Sequence, residues 1–175
     1  SISFVGSTPI AQYVYETGAR NGKRVQALGG AKNHMLVLPD ADLDLVADSA
    51  VNAGFGSAGE RCMAISVVVA VDPIGDKLVA AIKDKMSAIK GGDGRRSCDM
   101  GPLVTEVHRD KVASYIEIAE KDGATIVTDG RDVKPDGEAA GFWLGPTLID
   151  HVPTSSPVYQ EEIFGPVLSV VRVKS

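Results

Sequence analysis

Apolar residues along the chain change their period several times, and each change marks an element. Residues Ser1–Val5 alternate and are β-prone, and Gly6-Ser7-Thr8 follows as a turn. Thr8 stands where it would cap a helix whose first position is Pro9; that helix runs over Pro9–Asn21 and stops at Gly22. Lys23–Leu28 reads as another short strand, broken by Gly29-Gly30, and Met35–Leu38 is apolar. Pro39-Asp40-Ala41-Asp42 is a turn that supplies an N-cap, after which Leu43, Val46, Ala47, Ala50 and Val51 form one apolar helical face. Ser66–Val71 is continuously apolar, as in a strand buried on both faces of a parallel sheet. Asp72-Pro73 turns the chain, and Leu78, Ile82, Met86 and Ile89 mark a helix ending at Gly91-Gly92, with the methionine in the core. Thr105 caps a third helix with inner face Val112, Ile116 and Ala119, closed by Gly123. Ala124–Thr128 is a strand, Asp129–Ala140 an exposed loop or hairpin, Phe142–Ile149 an extended run interrupted by Gly145-Pro146, and Leu168–Val173 a last strand. Strands alternating with helices predict an α/β, three-layer sandwich with a mostly parallel sheet.

Composition narrows the function classes. With 175 residues the chain is long enough for one well-buried core and short for two domains. A formal net charge of −5 gives no electrostatic reason to bind nucleic acid or an anionic membrane. No apolar run is long enough to span a bilayer as a helix. Cys62 and Cys98 lie in different contexts, make no disulfide framework and fit a reducing compartment. They and the scattered His34, His108 and His151 show no metal-ligand spacing, so no metal is expected. The first residues lack Met and lie inside a strand-like run, and the last residues end another. The chain therefore reads as a piece of a longer protein.

The stretch Gly54-Phe55-Gly56-Ser57-Ala58-Gly59-Glu60-Arg61-Cys62-Met63-Ala64 carries the candidate chemistry. Its glycines allow a sharp turn and a close approach to a ligand. Cys62 follows, beside Arg61; a cation and unpaired backbone N–H groups favour the reactive thiolate, and the same N–H groups can hold an oxyanion. A small core cysteine before a buried strand is the plainer reading of the same residues. Upstream, strand, Gly6-Ser7 turn and helix N-terminus make an anion site or simply a tight connection; it is not the Gly-x-Gly-x-x-Gly fingerprint. Gly91–Pro102, with Arg95, Arg96 and Cys98, reads as a solvated connector.

Five separated segments resemble the aldehyde dehydrogenase superfamily in order: Phe4–Thr8, the region of Leu28-Gly29-Gly30, Gly59–Cys62, Met100-Gly101-Pro102-Leu103 and Glu161–Val167. The resemblance implies that Cys62 is the nucleophile and that Gly6 and Ser7 hold the pyrophosphate of NAD, with Ala11 where the family has a second glycine. In Glu161-Glu162-Ile163-Phe164-Gly165-Pro166-Val167 it assigns Glu162 to the nicotinamide-side ribose and Phe164 to the nicotinamide. Residues 1–30 would be the end of the NAD-binding domain and 31–175 the catalytic domain, incomplete at its C-terminus. The resemblance further implies a parent that is a homo-oligomer, a tetramer, in the bacterial cytoplasm or, in a eukaryote, the mitochondrial matrix.

One departure is informative. Most of the family carries a glutamate just before the glycine pair to activate water, whereas this chain reads Gln26-Ala27-Leu28-Gly29-Gly30-Ala31-Lys32-Asn33-His34, with no carboxylate between Arg24 and Asp40. Without that base water is a poor nucleophile, while a thiol is partly ionised at neutral pH. Coenzyme A is the natural acceptor of the acyl group. The Gly-Ala-Lys-Asn-His and Gly-Glu-Arg-Cys-Met-Ala runs resemble the methylmalonate-semialdehyde dehydrogenases, the CoA-acylating branch. That branch implies NAD-dependent oxidation of malonate or methylmalonate semialdehyde to acetyl- or propionyl-CoA with loss of CO2. Arg61 is the candidate holder of the substrate carboxylate, a structural ion pair being the alternative. The rivals are a hydrolytic NAD(P)-dependent enzyme with Glu60 or Glu162 as base, a Cys/His hydrolase pairing Cys62 with His34, and a non-catalytic fragment.

Overall fold

Backbone hydrogen bonding in the computed structural model forms seven strands and five α-helices among the described residues, which are 1–137 and 140–174. Contacts divide the chain into two units, Ser1–Ala31 and Lys32–Ser175.

In the first unit β1 (Ile2–Val5) pairs in parallel with β2 (Val25–Leu28), joined by α1 (Thr8–Arg20). The expected capping role of Thr8 is corrected. Ser7 occupies the N-cap position without a side-chain cap, and Thr8 Oγ1 instead accepts from the Gly30 N–H at 3.0 Å. That bond draws the glycine pair against α1 so closely that a Cβ on Gly29 would lie 2.7 Å from Thr8 Oγ1. Gly22, at φ +67°, ends the helical segment as the pattern predicts.

The second unit is built on a five-stranded sheet in the order β3-β4-β7-β6-β5. Its strands are β3 (Asn33–Val37), β4 (Ile65–Val71), β5 (Thr125–Thr128), β6 (Thr147–Asp150) and β7 (Val167–Val173). All pairings are parallel except β5 with β6, which makes β5 an antiparallel edge. Alternate residues of the central strands feed two apolar layers. Val67, Ile149, Val167 and Val171 pack under α4 (Glu106–Lys121) through Val112, Ile116 and Ala119. Val68, Ala70, Leu148, Leu168 and Val170 pack against α2 (Leu43–Phe55) and α3 (Gly75–Met86). The three-layer sandwich expected from the sequence is the architecture found.

Local signals explain the element ends. Asp42 caps α2 by accepting from Asp44 N and Leu45 N at 3.1 and 3.2 Å, and Thr105 caps α4 by accepting from His108 N at 3.2 Å. The short α5 (Pro157–Gln160) carries too few residues for a periodic signal in the sequence. Of the loop expected over 129–140, Glu138 and Ala139 lie outside the described residues; Asp136 bridges to Gly92. Beneath the sheet surface, buried Asp150 of β6 takes Arg172 of β7 in two hydrogen bonds, 3.1 Å from Nε and 2.6 Å from Nη2. Among the described residues no helix is long and apolar enough to cross a membrane, and no group of His, Cys, Asp and Glu could hold a metal.

Leu168 is fully buried near the start of β7, in the apolar layer with α2. Leu168→Ala removes buried apolar volume from this layer, and its expected cost is ~2–5 kcal/mol, read as a lower urea midpoint at unchanged slope.

Candidate active site

α2 delivers the chain to the thiol, and of the glycines expected to make the turn only Gly59 does so, together with two non-glycine residues. Gly54 lies inside the last turn of α2, where a Cβ would sit 3.3 Å from the Ile65 carbonyl oxygen. The reversal comes after it: Ser57 (φ 53°, ψ 36°), Ala58 (φ 54°, ψ 29°) and Gly59 (φ +71°) take left-handed conformations in succession. For Ser57 and Ala58 such a backbone is costly and is held by the surrounding packing. Gly59 is required for a second reason, since a Cβ there would run into the Gly165 carbonyl. The turn that carries the thiol and the loop that carries Phe164 therefore touch backbone to backbone.

Cys62 is exposed, in the loop between this turn and β4. That loop is fixed from β3: Asn33 Nδ2 donates to the Cys62 carbonyl at 2.8 Å and to the Ala64 carbonyl at 2.9 Å. A register shift between Asn33 and His34 breaks the β3–β4 ladder here, with Asn33 opposite Ile65 and His34 opposite Val67. Arg61 folds back along α2, its Nη2 donating to the carbonyls of Asn52 at 2.8 Å and Ala53 at 3.3 Å. It thus satisfies carbonyls at the helix C-terminus and leaves positive charge there, one residue from the thiol.

Glu60 points elsewhere. Its Oε1 accepts from the Val104 N–H at 3.3 Å and lies 3.5 Å from His108 Nε2, with 10% of the side chain exposed. His108 Nε2 is also 2.6 Å from the Phe164 carbonyl oxygen. Phe164 takes a φ of +59°, its ring at an edge-on angle to that of His108. The Phe164 loop is further tied by Tyr115, whose hydroxyl donates to Glu161 Oε2 at 2.5 Å. Burial, then the Glu161 carboxylate, push the phenol up to about 12, so it remains the donor.

Lys32 anchors the same segment from β3's entry, donating to the carbonyls of Val158 and Glu161, each at 2.7 Å. Desolvation lowers its pKa to about 8, opposed by the carboxylates of Glu162 and Glu161. Glu162 and Phe164 are both half-buried. His34 is occupied with Lys32, its Nδ1 being 2.7 Å from that carbonyl oxygen, and its ring meets Tyr159 edge-on at 5.3 Å. Asn33, and not His34, is the residue of this run that touches the Cys62 loop, which takes away the ground for a Cys/His hydrolase.

Gly6 and Ser7 belong to the other unit. Gly6 N donates to Leu28 O at 3.1 Å, and a Cβ on Gly6 would lie 2.6 Å from the Phe4 ring. Ser7 makes no side-chain cap bond, and the first turn of α1 holds no acidic residue. A helix N-terminus with an uncommitted hydroxyl and no acid in its first turn fits an anionic group such as a pyrophosphate.

Asn33, Lys32, His108 and Tyr115 escaped the sequence reading as parts of a site. A polar pair leading directly into an apolar strand was the signal available for Lys32 and Asn33; His108 and Tyr115 lie on one helix and carried none.

The Lys32 ammonium has a testable sign. The unfolded chain binds this proton with the ordinary value of 10.5 and the folded chain with about 8. The group's contribution is therefore complete above pH 10.5 and is lost as the pH falls towards about 8. Lys32→Met should flatten the rise of stability between those two values relative to wild type, measured by chemical denaturation across that range.

Three comparisons place this geometry among known proteins. The aldehyde dehydrogenase family model matches residues 1–175. Malonate-semialdehyde dehydrogenase 3 of Geobacillus kaustophilus is 52% identical over 176 residues, covering 99% of this chain and 36% of the relative. The crystal structure of methylmalonate-semialdehyde dehydrogenase from Oceanimonas doudoroffii superposes with a TM-score of 0.96 at 55% identity, over 99% of this chain and 36% of that one. A Sinorhizobium meliloti 1021 structure named as methylmalonate-semialdehyde dehydrogenase and complexed with NAD gives 0.94 at 48% identity, over 99% and 36%. The chain thus spans about a third of the length of the relatives it matches. An exposed thiol behind a left-handed turn, packed against a Glu-Ile-Phe-Gly loop, is accordingly the thiol-bearing part of an enzyme fold, and the chain belongs to the aldehyde dehydrogenase family.

Proposed function

We propose that the full-length protein oxidises malonate or methylmalonate semialdehyde with NAD+ and transfers the acyl group to coenzyme A. One observation carries the choice of a thiol over water as acceptor. Glu60, the carboxylate nearest Cys62 in sequence, is turned into the protein against Val104 N–H and His108. A carboxylate held in that way is a poor general base for water at the acyl carbon. No carboxylate lies between Arg24 and Asp40, the stretch where the family's base is expected, and Gln26 within it cannot accept a proton. The names of the relatives, malonate- and methylmalonate-semialdehyde dehydrogenase, support the substrate class.

In this reading the Cys62 thiolate adds to the aldehyde carbon, and backbone N–H groups of the turn stabilise the resulting oxyanion. NAD+, when bound, supplies the acceptor for the hydride that leaves this carbon, and a thioester on Cys62 results. Gly6 and Ser7 would hold its pyrophosphate, Glu162 its nicotinamide-side ribose, and Phe164 would pack near the nicotinamide. The NAD complex of the Sinorhizobium relative supports that cofactor. A carboxylate β to the thioester carbonyl then departs as CO2, its electron pair passing into the carbonyl as an enolate that takes up a proton. The coenzyme A thiolate attacks the acyl carbon, and Cys62 leaves as thiolate. Thioester exchange is close to neutral in energy, so no further energy source is required.

Arg61 is the proposed partner of the substrate carboxylate. The α2 carbonyls that hold Nη2 pre-orient the guanidinium, whose remaining N–H groups can form charge-assisted hydrogen bonds. Two measurements test the proposal. Product analysis should give acyl-CoA, with free acid formed far more slowly when coenzyme A is omitted; equal acid release either way defeats the acylating reading. Arg61→Ala should lower kcat/KM roughly 10- to 100-fold more for a carboxylate-bearing aldehyde than for a simple one, the loss of one charged hydrogen-bonding partner. Equal losses for both aldehydes would confine Arg61 to its contacts with α2.

A further inference from the structure

Two consecutive residues at the entry to β3 reach in different directions. Asn33 donates from one Nδ2 to the carbonyls on both sides of Met63, those of Cys62 and Ala64. Lys32 donates from Nζ to the carbonyls of Val158 and Glu161, the segment that leads into Glu162. Successive side chains of an extended strand point to opposite faces, which is why neighbours in sequence can hold two loops as far apart in the chain as Cys62–Ala64 and Val158–Glu161. The same alternation puts His34 on the side of Lys32, where its ring meets Tyr159 of α5. Both loops also need this support. The Cys62 loop follows a turn with left-handed Ser57 and Ala58, and the Glu162 loop contains left-handed Phe164. Neither is a conformation the chain would keep unaided.

The geometry points to Lys32-Asn33 as a two-way clamp: Asn33 is a positioning residue for the Cys62 thiol, and Lys32 is a positioning residue for the Glu162–Phe164 loop. An amide that donates to the Cys62 carbonyl and to that of Ala64 fixes the backbone leaving Cys62, and the sulfur that projects from it has less freedom to swing. Lys32 acts on a different object, the turn whose carboxylate and ring face the cofactor. This second half rests on the roles given to Glu162 and Phe164 above. The first half rests only on Cys62 being the reactive thiol.

The test uses the full-length protein and two readouts that do not depend on turnover. The first is the rate at which iodoacetamide alkylates Cys62, followed by peptide mass spectrometry, with half-buried Cys98 as the internal reference. The second is NAD+ affinity from quenching of intrinsic fluorescence. Asn33→Ala is expected to change the Cys62 alkylation rate roughly tenfold, as loss of two hydrogen bonds would, and to leave NAD+ affinity within about twofold. Lys32→Met is expected to do the reverse, weakening NAD+ roughly tenfold with the Cys62 rate within about twofold. Asn33→Asp, equal in size but unable to donate, should behave as Asn33→Ala does and serves where the alanine variant does not fold.

Alkylation of Cys62 unchanged in both Asn33 variants overturns the clamp on the thiol. Parallel changes in both readouts, by either residue, overturn the division of labour and make the pair a general structural support. If wild-type Cys62 reacts no faster than Cys98, the nucleophile assignment falls first, and that failure is visible before any variant is made.

Discussion

The contact between Gly59 and Gly165 is the constraint on which the thiol-bearing unit depends. Only a residue without a Cβ lets the turn ahead of Cys62 lie on the Gly165 carbonyl. Gly165 is in turn pressed against Val112 of α4, where a Cβ would lie 2.5 Å from a Val112 methyl. The apolar layer under α4 and the loop that carries Phe164 are thereby one packed body with the turn ahead of Cys62. Strain in that turn is tolerable because it is enclosed: Ala58 is 2% exposed, within the same apolar cluster as Val112, Ile116 and Ile149.

Polar groups complete what the packing starts, and they do so with unusual economy. Glu60 accepts from the loop before α4, His108 of α4 bridges towards Phe164, and Tyr115 of the same helix reaches Glu161. Asn33 and Lys32 close the arrangement from β3. Many of these bonds end on backbone carbonyls, which other side chains cannot displace and which report the position of the loop itself. The carboxylate that sequence proximity nominates as a base is consumed in this framework.

Patterning made the sandwich legible because each signal was local. Continuous apolar Ser66–Val71 became β4, buried on both faces, and the Leu43–Val51 stripe became the core side of α2. Asp42 and Thr105 capped the helices they precede, since an N-cap needs only its own side chain and N–H groups two or three residues on. Thr8 shows where such reasoning stops. Its hydroxyl had a competing partner, Gly30 N–H, 22 positions away, and no local pattern discloses that choice.

By itself the sequence determined the α/β alternation, the helix faces, the cysteine behind a glycine-rich turn and, through the Glu-Glu-Ile-Phe-Gly-Pro-Val string, the family. Those properties follow from residue periodicity, from backbone preferences and from strings long enough to be specific. Tertiary structure alone decided that Ser57 and Ala58 make the reversal, that Arg61 lies along α2, that Glu60 turns to His108, and that Asn33 holds the Cys62 loop. Each of these depends on neighbours that the folded chain supplies, the Phe164 loop and α4 for Glu60 and β3 for the Cys62 loop. What a polar side chain does depends on which carbonyl or N–H is left open in its neighbourhood, and that is a property of the assembled layers.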